Sequence, residues 1–538
     1  MYADFILTGT IFTSKEKTPF EGAVAVKGSQ IIKVGTKNEI CKYINNSTEI
    51  YDYPNKLIMP GFGDSHVHLF SGCSGFMEGI CRDLSETKSE EDCVEKMIEF
   101  SKQHPEQKVI KGAGWFPANW GGAMPSKKSL DKAFPDRPAY MSCADGHTFW
   151  LNSKALEDCG ITKESTVSFG EIQKDEKGEL TGLLFEQEAI KIPRQKMCSM
   201  SEEELEKNMG KVFAMLSEFG ITSVSEMTIE TTLDDSYEHF NVFKKLEKKN
   251  QLTARVYLYP SLDSDKSYQT VDALKEQFCS DQLCICGLKQ FVDGVASTYT
   301  AYLLEPYEDK KDHVGQPIYP DSYYYDNIIA ANHAGYGVRL HAIGDGAIRL
   351  ALDCFEKSSQ INNPMDYRNC IEHLEHLAPE DIPRFKELNV VASTQPYHLT
   401  LDANEKIERV GIDRSMYEWP HKSLLESGAI LSFGTDYPVI DLNPFANIYA
   451  AVTRKDDSGK KTGVMNHEEI SLADALIAYT YGSAYSNNAE TKIGTLEENK
   501  YADIIVLDRN LFEIPTEEIL DTRVLMTIMN GQIVFNRK

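Results

Sequence analysis

Short apolar runs broken by turn residues fill both ends of the chain. ADFILTGTIFT, GAVAVKGSQIIKVG and KLIMPGF near the start alternate apolar positions with Gly-Thr and Gly-Ser bends, the pattern of β-strands. YADIIVLDRN and VLMTIMNGQIVFN near the end read the same way, and Asn530-Gly531 is a two-residue hairpin signal. The expected element is one small β-sandwich domain built from both termini, residues 1–60 and 487–538. Two separate edge ribbons would produce the same pattern.

The middle, residues 61–486, changes rhythm. ITSVSEM, ARVYLYP, CGLKQFVDG, GVRLHAIG, NCIEHLEHL, NVVASTQP and AILSFGTDYPV are short β-branched or apolar runs that end in polar residues. Amphipathic stretches such as SEEELEKNMGKVFAMLSEFG and GAIRLALDCFEKSSQ lie between them. Repeated β-then-α units imply a parallel sheet, and their number favours a closed (β/α)8 barrel of the TIM type over an open sheet. Residues from about 75 to 200 fit the repeat poorly and carry the aromatic, turn-rich GAGWFPANWGGAMPS. They read as a large insertion after the first barrel strand, covering part of the active site, because barrel loops carry function.

Composition narrows the function. A formal charge of −26 over 538 residues disfavours nucleic acid and anionic membrane surfaces, which need clustered Lys and Arg. No basic leader and no long apolar run is read, so a cytoplasmic protein acting on a small molecule is expected. The twelve cysteines contain no C-x-x-C pair and read as reduced thiols. Cys284 and Cys286 in LCICGLK are candidate metal ligands, with small core residues as the plainer reading.

Chemistry gathers where the predicted strands end, the active face of a barrel. His66 and His68 close the first barrel strand, and residues i and i+2 share one strand face. Lys289, His341, His373 and Asp436 each close or interrupt a later apolar run. Four imidazoles and a carboxylate form a donor set for zinc or a similar divalent ion. A lysine inside an apolar strand is costly unless paired or chemically altered, although its stem can also snorkel outward. His376 competes with His373 for the ligand role, and His373 sits better after the strand-like NCIEH.

These motifs resemble the amidohydrolase superfamily. PGFGDSHVHLF, GAGWFPANWGG, DGHTFWLNSKAL, LKQFVDG with LLEPY, LHAIGDGAIRLALD, IEHLEHLAPEDIPRFKELNVVASTQP, FGTDYPV and the closing ADIIVLDRNLFEIP through VLMTIMNGQIVF run in the expected order from about residue 5 onward. The likeness is greatest to the YtcJ-like branch, which includes N-substituted formamide deformylase. The resemblance implies one or two metal ions: His66, His68 and Asp436 on the more buried one, His341 and His373 on the second, and Lys289, carboxylated by CO2, bridging them. It implies a metal-bound hydroxide attacking the carbonyl of a non-peptide C–N bond, in a linear or N-substituted amide, with Asp436 as proton shuttle. Trp115, Asn119, His147 and His398 become candidate substrate contacts, with a core-anchor role equally open to Trp115. A homodimer is the assembly expected.

Gly346, Tyr299 and Glu226 stand where this branch usually carries other residues, so the substrate pocket is expected to differ. Hydrolysis of cyclic amides or esters, deamination, and a non-catalytic scaffold are the rival readings. The scaffold would be expected to lose ligands, and all six are present.

Overall fold

A computed structural model describes every residue except 83, 168, 229–232, 263–267, 363–365, 402, 465–466 and 538. The chain divides into two compact units: residues 1–70 with 209–538, and residues 71–208.

In the larger unit the two chain ends share one sheet. Its seven strands lie in the order Gln532–Asn536, Val524–Met529, Ile504–Leu507, Glu49–Pro60, Phe5–Ile11, Phe20–Lys27, Gln30–Gly35. The N- and C-terminal portions meet where Ile504–Val506 pair antiparallel with Ile58–Pro60. Leu7, Val24, Val26, Ile58, Ile504, Val506, Met526 and Ile528 form the core on one side. A smaller apolar group, Ala3, Ile6, Ala23, Ala25 and Ile40, packs separately. The observed element is thus a single mixed sheet with apolar residues on both faces, where two stacked sheets were expected. Asn530 and Gly531 hold φ of 54° and 75°, and Met529 pairs with Gln532 across them, as the tight hairpin requires.

At Pro60-Gly61 the chain passes from this sheet into the parallel strands. A Cβ on Gly61 would fall 2.2 Å from Thr222 Oγ1, so only glycine permits the close approach of this turn to the next strand. Phe62–Val67, Ile221–Met227, Arg255–Tyr259 and Leu283–Ile285 form a four-stranded parallel sheet. Gly287–Phe291, Gly337–Ala342, Cys370–His373, Val391–Thr394 and Leu431–Phe433 form a five-stranded one. Amphipathic helices such as Glu202–Glu218 and Asp345–Ile361 lie between strands in sequence. The regular ladders do not run on as one closed barrel. Among the described residues they are joined at isolated parallel bridges, Ser261 with Lys289 and Val67 with Tyr437. At the second junction Asp436 takes a φ of 58°, a left-handed conformation that a regular strand does not admit.

The smaller unit holds a five-stranded sheet ordered Ile110–Trp115, Ala139–Cys143, Thr148–Leu151, Leu180–Phe185, Glu171–Lys174. Trp115, Leu130, Met141 and Trp150 anchor its core. Among the described residues, no helix is long and apolar enough to cross a membrane, and all twelve cysteines are free thiols.

Candidate metal centre

The strand Phe62–Val67 is buried along its whole length, so its polar side chains must find partners inside the protein. Asp64 accepts from Thr435 N at 2.9 Å and Thr435 Oγ1 at 2.6 Å. Burial pushes its carboxyl up to about 7. This anchor ties the first strand to the segment that delivers Asp436, and Asp436 N in turn donates to His66 O at 2.7 Å.

His66 and His68 share a face, with ring centroids 5.2 Å apart. The Nδ1 of His66 donates to Glu372 Oε2 at 2.8 Å. The Nδ1 of His68 donates to the carbonyl of Met227 at 2.7 Å. These outer acceptors fix both tautomers, so each Nε2 presents a lone pair. Both lone pairs face one atom: Asp436 Oδ1 lies 3.5 Å from His66 Nε2 and 3.2 Å from His68 Nε2. That oxygen is buried and has no hydrogen-bond donor.

His373 completes the group. It ends the strand Cys370–His373 with a φ of 77°, which turns its ring toward the others. Its Nδ1 is 4.0 Å from Asp436 Oδ2, and its ring centroid is 4.9 Å from that of His66. His66, His373 and Asp436 each offer a donor atom within 4.8 Å of the other two. His341 stacks edge-on beside His373 at 4.4 Å between centroids. Its Nε2 is turned toward Gly294 O, at 3.3 Å, and it stands outside the tight triad.

Electrostatics follow from this burial. Burial, with Lys289 nearby, lowers His66 to about 4, so its imidazole is neutral near pH 7. Burial, then the neighbouring His341, pushes His373 well below its ordinary value. Burial would raise the Asp436 carboxyl, but His66 and His68 outweigh it and hold it well below the usual range. Glu372 is likewise raised by burial and overcompensated by His66 and Arg339, ending at about 2. Lys289 is 1% exposed. Its Nζ makes no hydrogen bond and rests 5.0 Å from the Phe291 ring. Burial lowers it to about 8, against the pull of Glu372 and Asp436.

The remaining candidates separate. His398 is 6% exposed, its Nε2 makes no hydrogen bond, and its ring lies parallel to that of His373 at 6.4 Å. His376 turns elsewhere, with Nδ1 3.7 Å from Glu418 Oε1. In the smaller unit, Trp115 has no exposed surface, donates Nε1 to Met141 O and packs on Trp120 and Trp150. This packing fits the core-anchor reading of Trp115. Asn119 is exposed and donates to Ser85 O. His147 Nδ1 lies 2.8 Å from Glu186 Oε2. Burial works against its charge, but Glu186 prevails and raises the imidazole.

Sequence reading missed the residues that orient the candidate ligands. Glu372 holds His66, and Arg339 holds Glu372 through Nη1 at 3.1 Å. Asp293 gathers the amides of Tyr302, Ile343 and Gly344 under the strand ends. The signal was available: Arg339 and Glu372 are charges inside apolar strands, the anomaly that marks Lys289.

A donor set of imidazoles and a carboxylate, with buried Asp436 Oδ1 and Lys289 Nζ making no hydrogen bond, fits a divalent cation. Comparison with known proteins agrees. The sequence model of the amidohydrolase family matches residues 49–535. The chain is 31% identical to Protein LONG AFTER FAR-RED 3 of Arabidopsis thaliana, over 99% of this chain and 92% of that one. It is 27% identical to the putative amidohydrolase YtcJ of Bacillus subtilis, over 98% of each. The crystal structure of an uncharacterized metal-dependent hydrolase from Pyrococcus horikoshii OT3 superposes with a TM-score of 0.75 at 27% identity, covering 95% of this chain and 99% of that one. This chain belongs to the amidohydrolase family.

Proposed function

We propose that the chain is a metal-dependent hydrolase that cleaves a non-peptide C–N bond, in a linear or N-substituted amide. One observation carries this reading: the lone pairs of His66 Nε2 and His68 Nε2 point at the carboxylate oxygen of Asp436 in a buried pocket. Three electron-rich atoms facing one another repel, and a cation among them reverses the sign. A proton on His66 does not serve, because burial lowers that ring to about 4. When bound, the ion, zinc being the one these donors suit, supplies a Lewis acid for the substrate carbonyl and acidifies water.

The chain's own residues do the rest. Glu372 and the Met227 carbonyl keep both imidazoles in the ligating tautomer. Asp436, held as an anion, takes a proton at Oδ1 and returns it to the leaving nitrogen. Lys289, lowered to about 8, has an accessible neutral amine. Addition of that amine to CO2 with loss of a proton would turn the buried cation into a carbamate anion, which with His341 and His373 would hold a second metal ion. His398 serves as a substrate contact. In the same reading the Ser261–Lys289 and Val67–Tyr437 bridges close the two ladders into one (β/α)8 barrel.

A screen of N-formyl and N-acyl amines against zinc- and manganese-loaded protein tests the reaction. Turnover of at least one class is expected. Asp436→Asn should keep the fold and lower kcat by roughly 10²–10⁴-fold; near-normal kcat removes the shuttle. Metal reconstitution without bicarbonate should slow if Lys289 is carboxylated, and equal rates with and without it count against that modification.

A further inference from the structure

Cys279, Cys284 and Cys286 lie in CSDQLCIC, and none of them is a candidate ligand of the metal centre. Ser280 N donates to Leu283 O at 3.0 Å, and Ile285 N to Phe278 O at 3.2 Å. Cys279 and Cys284, bridged between these bonds, therefore form a non-hydrogen-bonded antiparallel pair. Side chains of such a pair stand closest, with Cα atoms about 4.5 Å apart. Cys286 follows Cys284 by two residues and shares its strand face. The two sulfurs are 3.5 Å apart. The Cβ atoms of all three cysteines thus lie on one side, while the Cys279 thiol itself turns to Glu276 O.

We infer that Cys279, Cys284 and Cys286 form a second site, a three-thiolate site for a soft monovalent cation of the copper(I) kind. Thiolates select soft d10 ions over the hard ones that prefer oxygen. Three thiolates around one ion at about 2.3 Å each stand roughly 4.0 Å apart in a trigonal plane, so Cys284 and Cys286, at 3.5 Å, need spread only slightly to chelate. Cys279 is exposed and its thiol now donates to Glu276 O; turning about its Cα–Cβ bond brings the third sulfur in. Cys284 and Cys286 are only half-buried against Met227, Tyr257 and Ile493, which leaves an entry path and a largely apolar backing. Lys492, held 2.8 Å from Asp281 beside this strand, offsets the negative charge that develops as each thiol gives up its proton. The S–H of Cys286 and the Lys492 ammonium already favour the Cys284 thiolate against burial.

The test is titration of the reduced, metal-stripped full-length protein with copper(I) in competition with bicinchoninate, read by thiolate-to-copper charge-transfer absorption. One equivalent should bind. Cys284→Ser should weaken binding at least about tenfold, and Cys279→Ser should remove about a third of the band, one of three sulfur bonds. Cys41→Ser, an exposed thiol elsewhere, should change nothing. No charge-transfer band, a full equivalent retained by the Cys284→Ser/Cys286→Ser double variant, or no response to Cys279→Ser would each overturn the three-thiol site. Serine is isosteric and these positions are partly exposed, so circular dichroism should show every variant folded.

Discussion

Two buried histidine–carboxylate groups, His66 with Glu372 and His376 with Glu418, behave differently. At His66 the ring is held from outside by Glu372 at 2.8 Å, and Glu372 is held by Arg339. The free nitrogen is therefore aimed, and it meets His68, His373 and Asp436. His376, next door to His373 in the chain, is just as buried, yet neither ring nitrogen makes a hydrogen bond and Glu418 is 3.7 Å away. Burial and a nearby acid alone thus do not aim a ring nitrogen at other donor atoms. What separates the two is the outer acceptor that fixes the tautomer.

Breaking that outer contact should have the largest effect. Glu372→Gln replaces the acceptor with a group that can point a donor at His66, and metal affinity should fall about 10–100-fold, measured by competition with a chromophoric chelator. An unchanged affinity would remove the distinction drawn here.

A smaller effect is expected in acid. His376 is lowered by burial from 6.5 to about 3, so below pH 6.5 the unfolded chain takes up a proton that the folded one refuses. Stability is lost as pH falls through that window. Glu418 works in the opposite sense. Burial raises it from 4.5 to about 7, so its contribution is present below 4.5 and is lost as pH rises toward 7. His376→Asn deletes only the first slope. The variant should lose less stability than the parent between pH 6.5 and 5, by on the order of 2 kcal/mol, read from urea midpoints. Equal losses would show that His376 does not set the acid limit.

The smallest effect is a null one. Glu418→Gln should leave metal affinity within error of the parent, because this carboxylate orients no ligand. A loss as large as that of Glu372→Gln would merge the two regions.

Much of this arrangement was legible in the sequence, for definite reasons. ITSVSEM coincides with the strand Ile221–Met227 although four of its seven residues are polar; its β-branched Ile, Thr and Val carry the strand signal. Asn530-Gly531 marked its hairpin because few other residues accept two positive φ angles in succession. His66 and His68 could be paired from strand periodicity alone. What stayed hidden depends on contacts distant in the chain. Glu372 meets His66 across 306 positions, and no local pattern encodes that pairing. The turn of His373 out of its strand, at φ 77°, leaves no trace in CIEHL. The break between the two parallel ladders and the single terminal sheet likewise arise from how strands meet, not from their composition. Trp115 reads the same as anchor or contact until its neighbours Trp120 and Trp150 are known.

In the proposed function a cation occupies the space among His66, His68, His373 and Asp436. Elemental analysis of protein purified without chelators, beside His68→Ala and His376→Ala, tests it most directly. The account predicts at least one divalent metal per chain in the parent and in His376→Ala, and far less in His68→Ala with its circular dichroism unchanged. A parent that stays near zero after supplementation with zinc or manganese, or a His68→Ala variant that keeps its full metal content, would contradict it.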